Sequence, residues 1–448
     1  MKENRILMKI QFLAGLMAVT LGLLTTPAHA ENLLQVYQQA KGYDARIQSR
    51  ESGHLAVQEK RQQAQASFKP QIKLSANASH SLQYDTISDN TLDGNAADYA
   101  VKLGIPLYSK PLNAKLAQTD ALVAQSAATL ESDRQDLIIR TANAYFDALQ
   151  AQDNVIVSQA ERTAISHQLE QSKAYFEAGR SAITDVKEAE ASHAAALAQE
   201  IAATQQLDIA REQLRVLTGG FYPLLDAPRA NMPLTVPSPN NIEAWVQIAK
   251  QENHQLRAGK QAVWVAQKGI EVERAAKRPS VNLTASHTGS YLDNDNINNQ
   301  QGYGSSVGIS VDIPLYTGGS IASKIREAQF NAQQAQQQYD LQDRQTEQQV
   351  RSAFLSVQSS INQASANQQA LNAAQTAVQA TKAGFEVGTR TAVDVLNSLR
   401  GEFRARRDYS AARYGYLKNT LLLRQAAGAL TEKDVAALNA FLTPAPKG

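Results

Sequence analysis

The 448-residue chain has no cysteine, so no disulfide framework holds it together, and neither a thiolate nucleophile nor a cysteine-ligated metal is available to it. Tryptophan is nearly missing as well. Trp245 and Trp264 stand alone, both in stretches of helical pattern where packing is their expected role. There is no phosphate-binding glycine loop and no HExxH pair, and the histidines after residue 30 (His54, His80, His167, His193, His254 and His287) are scattered. These absences speak against an enzyme and against a bound cofactor or metal. Neither sign of charge is in excess, with 44 Lys and Arg against 42 Asp and Glu, so a nucleic-acid partner loses its usual electrostatic support. Past residue 24 no apolar run approaches the roughly 18 to 20 residues of a membrane-spanning helix. If the chain crosses a membrane, it does so by strands.

What is present begins with a leader. Lys2, Arg5 and Lys9 precede a largely apolar run over residues 10–24, and Ala28, His29 and Ala30 form a small-x-small cleavage pattern. Removal of residues 1–30 is expected to leave a mature chain that starts at Glu31 and is near neutrality. An exported protein without cysteine must draw its stability from packing or self-association.

The stretch FEAGRSAITDV from Phe176 returns 209 positions later as FEVGTRTAVDV from Phe385. The same offset pairs Gly179 with Gly388, Asp185 with Asp394, Ala144 with Ala353, Arg215 with Arg424 and Pro70 with Pro279, while IPLY at Ile105 recurs at Ile313, one residue out of step. The chain is therefore a tandem duplication. We expect a first repeat over residues 31–217, a linker over 218–240, a second repeat over 241–430 and a tail over 431–448.

Each repeat holds two segments of period-two alternation, the pattern of strands with two unlike faces. Ile72, Leu74, Ala76 and Ala78 alternate with polar residues, and Tyr99, Val101, Leu103, Ile105 and Leu107 follow the same rule. The second repeat answers with Val281, Leu283 and Ala285, then Val307, Ile309, Val311, Ile313 and Leu315. The runs predict strands of roughly 8 to 10 residues, a length that spans a bilayer when tilted. Asn- and Asp-rich loops are expected between them, from Asp85 and from Tyr291. A soluble hairpin with one wet face would show the same alternation.

Residues 112–178 and 320–383 contain neither glycine nor proline and predict two helices of about 100 Å each. Pro111 suits a first turn, and Gly179, Gly384 and Gly388 are placed just beyond helix ends. In the helix after the first glycine site, Ile183, Val186, Leu197, Leu207 and Leu214 fall on one heptad grid whose remaining positions are polar. The duplicated stretches are thus the tips of helical hairpins. Four strands cannot close a membrane barrel, since open edges in hydrocarbon strand unpaired backbone groups. Membrane strands would require copies of the chain to share one barrel, and 12 strands from three chains is a permitted size.

At this point the chain resembles the TolC family of Gram-negative outer-membrane channels for drug efflux and type I secretion. ENLLQVYQQA, FEVGTRTAVDVL, AITDV, TGGFYPLL, IPLYTGG and ARYGYLKNTL carry the resemblance along nearly the whole mature chain. It implies an α+β membrane protein. Four strands per chain would complete a 12-stranded homotrimeric barrel in the outer membrane, continued by a periplasmic coiled-coil tunnel. The implied partners are a periplasmic adaptor (membrane fusion) protein, an inner-membrane pump and outer-membrane lipid. Thr184, Asp185, Phe385 and Arg390 match the gate, and Asp394 and Asn397 match a cation-binding ring at the entrance. Ala178, Gly179, Arg180, Val387, Gly388 and Thr389 match the adaptor-contact tips. The chain departs from the family where Phe385 replaces a tyrosine, where Asn397 replaces a second aspartate, and where Ala-Gly-Arg replaces Val-Gly-Leu at the first tip. The competing class is a periplasmic coiled-coil adaptor with β-hairpins; a general diffusion porin would have no use for such long helices.

Overall fold

The computed structural model describes residues 31–86, 90–229, 231–294 and 297–443; the leader and residues 444–448 of the expected tail lie outside them. In chain order the elements are α1 (Leu33–Tyr43), α2 (Ala45–Ala66), β1 (Gln71–Asp85), β2 (Asn90–Ser109), α3 (Lys110–Glu177), α4 (Ile183–Thr218) and β3 (Ala227–Pro228), then α5 (Ile242–Glu252), α6 (His254–Ala275), β4 (Ser280–Asn294), β5 (Ile297–Asp312), α7 (Ser320–Glu386), α8 (Ala392–Ala426), α9 (Glu432–Asn439) and β6 (Leu442–Thr443). Their contacts form two compact units that cut across the repeats. One holds residues 49–133 and 249–348, and the other holds the remainder.

The first unit is built on an antiparallel sheet in the order β1-β2-β4-β5. Residues directly opposite one another in a sheet share a face. Ile72 lies opposite Leu103 and Leu74 opposite Val101; Leu103 in turn lies opposite Ala285, Ala285 opposite Val307, Leu283 opposite Ile309 and Val281 opposite Val311. The apolar sets read from the four alternating segments therefore fall on a single face, except Leu107, where the register shifts and Tyr108 takes the place opposite Val281. Much of it is bare: Ile72, Leu74, Val307, Ile309 and Val311 are all exposed. The other face carries Lys73 directly opposite Lys102 and Ser286 opposite Ser306. On the apolar face the Tyr99 ring covers Gly289, where a Cβ would come within 2.3 Å of it. Among the described residues, strands β1 and β5 each pair on one side only.

The strands run longer than the alternation predicts, 15 to 20 residues. Most of the two expected loops is paired strand: β2 starts at Asn90, β4 reaches Asn294 and β5 starts at Ile297. The ladder needs only backbone groups, so polar side chains on an exposed ribbon do not end it. Ile313 and Leu315, in contrast, lie beyond β5.

In the second unit the middle of α3 supplies the core, with Leu137, Tyr145, Phe146 and Leu149 almost wholly buried alongside Leu214 of α4 and Leu417 and Leu421 of α8. Tyr145 and Phe146 meet edge to face at 5.6 Å. The Tyr145 hydroxyl donates to the carbonyls of Asp226 at 2.7 Å and Glu31 at 3.2 Å, and burial pushes its pKa well above the usual phenol value. The linker is thus anchored, and β3 pairs with β6 near the far end of the chain. On α4 three of the five expected heptad positions hold: Val186, Leu207 and Leu214 are buried, but Ile183 and Leu197 are exposed. Their place in the seam is taken by Ala189, Ala196, Ala203 and Ala210, spaced seven apart. Alanine lets helices approach closely, and it is a weak marker of an apolar face when only large side chains are counted.

Candidate functional site: the two hairpin tips

Both duplicated stretches lie in the second unit and fold as tight helix-to-helix turns. At the first tip α3 ends at Glu177 and Gly179 adopts φ +67°, a left-handed conformation that glycine takes without penalty. The Arg180 amide then donates to the Tyr175 carbonyl at 2.8 Å. At the second, α7 ends at Glu386, Gly388 has φ +81°, and the Thr389 amide donates to the Gly384 carbonyl at 2.8 Å. Gly384, expected outside the helix, lies in its last turn. The reason is local: its carbonyl also accepts from the Arg390 amide at 3.2 Å and the Thr389 hydroxyl at 3.0 Å. A Cβ on Gly384 would meet the Arg390 Cγ at 2.8 Å, so the bare glycine seats the arginine stem.

The two copies start their second helices differently. Thr391 caps α8 in a reciprocal box. Its amide and hydroxyl donate to Asp394 Oδ2 at 2.9 and 3.0 Å, and the Asp394 amide returns a bond to the hydroxyl at 3.2 Å. These bonds, with Arg390 nearby, hold the Asp394 carboxyl below the usual carboxylate range. The equivalent of Thr391 in the first copy is Ala182, which offers no side-chain cap. Asp185 is consequently left without the bonds that occupy Asp394. Among the described residues, Asp185 and Thr184 make no ion pair or hydrogen bond to Arg390 within one chain. Arg390 and Asn397 are exposed.

Phe385 is brought to a partner that the sequence did not single out. Its ring stacks on Tyr175 at 5.4 Å with the planes 27° apart, and it packs against a buried cluster of Val157, Val378, Val395, Leu399 and Phe403. Above the same Tyr175 ring sits Arg180, its guanidinium carbon 4.8 Å from the centroid. The signal that could have found these residues is the difference between copies: the 209-residue offset sets Tyr175 against Gly384 and Ala182 against Thr391. Of the tip residues, Ala178, Gly179, Arg180, Val387, Gly388 and Thr389 are all exposed, Val387 at 75%.

A sheet bare and apolar on one face, open at both edges, and carried in one chain with duplicated long helical hairpins defines a β-barrel membrane protein with a helical extension. The chain belongs to the outer membrane efflux protein family, whose model matches residues 36–220 and again 245–429, once per repeat. It is 35% identical over 438 residues to the outer membrane protein TolC of Vibrio cholerae serotype O1, covering 96% of this chain and 98% of that one. It is 29% identical over 442 residues to the proteases secretion protein PrtF of Dickeya chrysanthemi, covering 97% and 96%. Among solved structures, the CusC channel superposes with a TM-score of 0.76 at 17% identity, over 88% of this chain and 92% of that one. The protein is an outer-membrane efflux channel that extends into the periplasm.

Proposed function

We propose that three copies share one 12-stranded barrel and form a conduit that passes small molecules and proteins out of the cell, without covalent chemistry of its own. The observation that carries this is the single apolar face formed by β1, β2, β4 and β5, flanked by two unpaired edges. Edges in hydrocarbon cost several kcal/mol per unpaired group, and joining β5 of one copy to β1 of the next removes them all. The name of PrtF supports protein export alongside efflux. The mature chain would begin at Glu31 after loss of residues 1–30, with the repeats bounded at 217 and 241. A periplasmic adaptor would dock on the tips at 178–180 and 387–389 and link the channel to an inner-membrane pump, while outer-membrane lipid covers the apolar face.

The helices behind the tips would close the entrance, with Asp185 and Thr184 meeting Arg390 across the closed assembly and Phe385 packed behind them. Three copies of Asp394 would form one cation-binding ring, weaker than a double ring because Asn397 contributes no charge. The barrel is tested by Leu103→Arg and Ile309→Arg. Each should cost about 2 to 4 kcal/mol near the membrane midplane and abolish the detergent-resistant trimer band. Unchanged trimer yield in both variants would refute membrane strands.

A further inference from the structure

We infer that Arg180 recognises an acidic group on the docking partner, and that this contact loosens the Tyr175–Phe385 stack and so couples docking to opening. The inference rests on the proposal above that the tips dock an adaptor and that the helices behind them gate the channel.

The two tips are chemically unlike. The second presents the apolar Val387, 75% exposed, and a threonine whose hydroxyl is already turned back onto the Gly384 carbonyl at 3.0 Å. The first presents a cation. Among the described residues Arg180 has no carboxylate partner, and its guanidinium is steadied only by the Tyr175 ring 4.8 Å away. A guanidinium held over a ring keeps N–H groups free at its edge, in the fork that suits a carboxylate. A partner bearing an acid therefore has a cationic seat at Arg180, whereas the cation beside the second tip, Arg390, has its stem on Gly384 and lies near the Asp394 carboxylate.

What lies beneath Arg180 makes that seat consequential. Tyr175, near the end of α3, stacks on Phe385, near the end of α7, at 5.4 Å. Phe385 in turn rests on the buried cluster that joins α3 at Val157, α7 at Val378 and α8 at Val395, Leu399 and Phe403. Three side chains thus run without a break from the exposed tip to the packing that fixes the helices behind it. A carboxylate that engages that edge offsets part of the guanidinium charge and so weakens its attraction to the ring. Tyr175 then loses the group that holds it flat against Phe385, and the tie between α3 and α7 weakens.

The test uses the full-length channel in planar bilayers and two synthetic helical-hairpin peptides identical except for Glu or Gln at the turn. The Glu peptide should bind up to about fivefold more tightly at low ionic strength, as an exposed ion pair allows, and should raise the open probability. The preference should vanish at about 0.5 M salt and in Arg180→Leu, and persist in Arg180→Lys. Tyr175→Leu should keep the preference while opening more often without any peptide, which separates recognition from coupling. Equal binding of the two peptides to the parent, or a Glu preference with no change in conductance, would overturn the inference. Photo-crosslinkers at Ala178 and at Val387, one on each tip, separate the levels: peptides captured without a Glu preference leave the docking proposal standing and remove this one, and peptides captured at neither tip remove both.

Discussion

Thr391 bonds Asp394 on both sides of its capping box, whereas Ala182, at the same place in the other copy, has no oxygen to offer Asp185. Duplication has left one carboxylate fastened to its own helix and the other with its oxygens uncommitted, and only the uncommitted one suits a contact made and broken during gating. Ala182→Thr should therefore do two things. It should add a cap worth about 1 kcal/mol to α4, and by drawing Asp185 inward it should raise the open probability in bilayer recordings. A more stable variant that stays as closed as the parent would dissociate Asp185 from the gate. The cap also carries a pH signature. The carboxyl of Asp394 is held low in the folded chain, so its contribution is complete above the ordinary carboxylate range and is lost as pH falls through the depressed native value. The protection factors of the amides at the start of α8, taken relative to intrinsic exchange at each pH, should fall on acidification in the parent and stay constant over this range in Asp394→Asn.

At the scale of elements, Ala189, Ala196, Ala203 and Ala210 are all buried along the α4 seam. Ala203→Leu should overpack it and cost about 1 to 3 kcal/mol, seen as a lower thermal midpoint of the purified channel, while Leu197→Ala at an exposed position should cost little. The same helix marks the limit of what was legible. Strand faces, helix extents and hairpin tips follow from local rules, in which alternation, the lack of glycine and a left-handed turn each act over a few residues. The direction a long helix faces depends on neighbours far away in sequence, and the spacing of large apolar residues misplaced Ile183 and Leu197. Lengths of the β-ribbons were underread for the opposite reason, since pairing continues wherever backbone meets backbone. At the tips, the residues matched to the gate were identified by resemblance, but the Tyr175 stack and the Gly384 seat arise where the two copies differ, and a search for sameness passes over them.

The whole molecule draws on distant parts of its sequence. β1 and β2 form a local hairpin and so do β4 and β5, but β2 meets β4 across nearly two hundred residues. In the other unit β3 pairs with β6, and Glu31 bridges to Leu225. Ending the chain at Phe441 removes Leu442, a buried side chain worth about 1.5 to 3 kcal/mol. Limited proteolysis should then cut the linker around Ala227 many times faster, and an unchanged cleavage pattern would show that β6 does not secure it.

The hydroxyl of Tyr145 has a further consequence, in time rather than in space. Its two acceptors, at Glu31 and Asp226, belong to a junction that β6 completes only with the last residues of the chain. Contacts so far apart in sequence form slowly, because loop closure must precede any gain. Each hairpin can zip early, and its apolar face and bare edges stay open to any passing strand until copies join in one barrel. The newly exported polypeptide should therefore depend on a holding chaperone until it assembles, and slow closure of the Tyr145 junction lengthens that interval. Slowing synthesis or export near the final residues should increase aggregation without changing the finished channel at all.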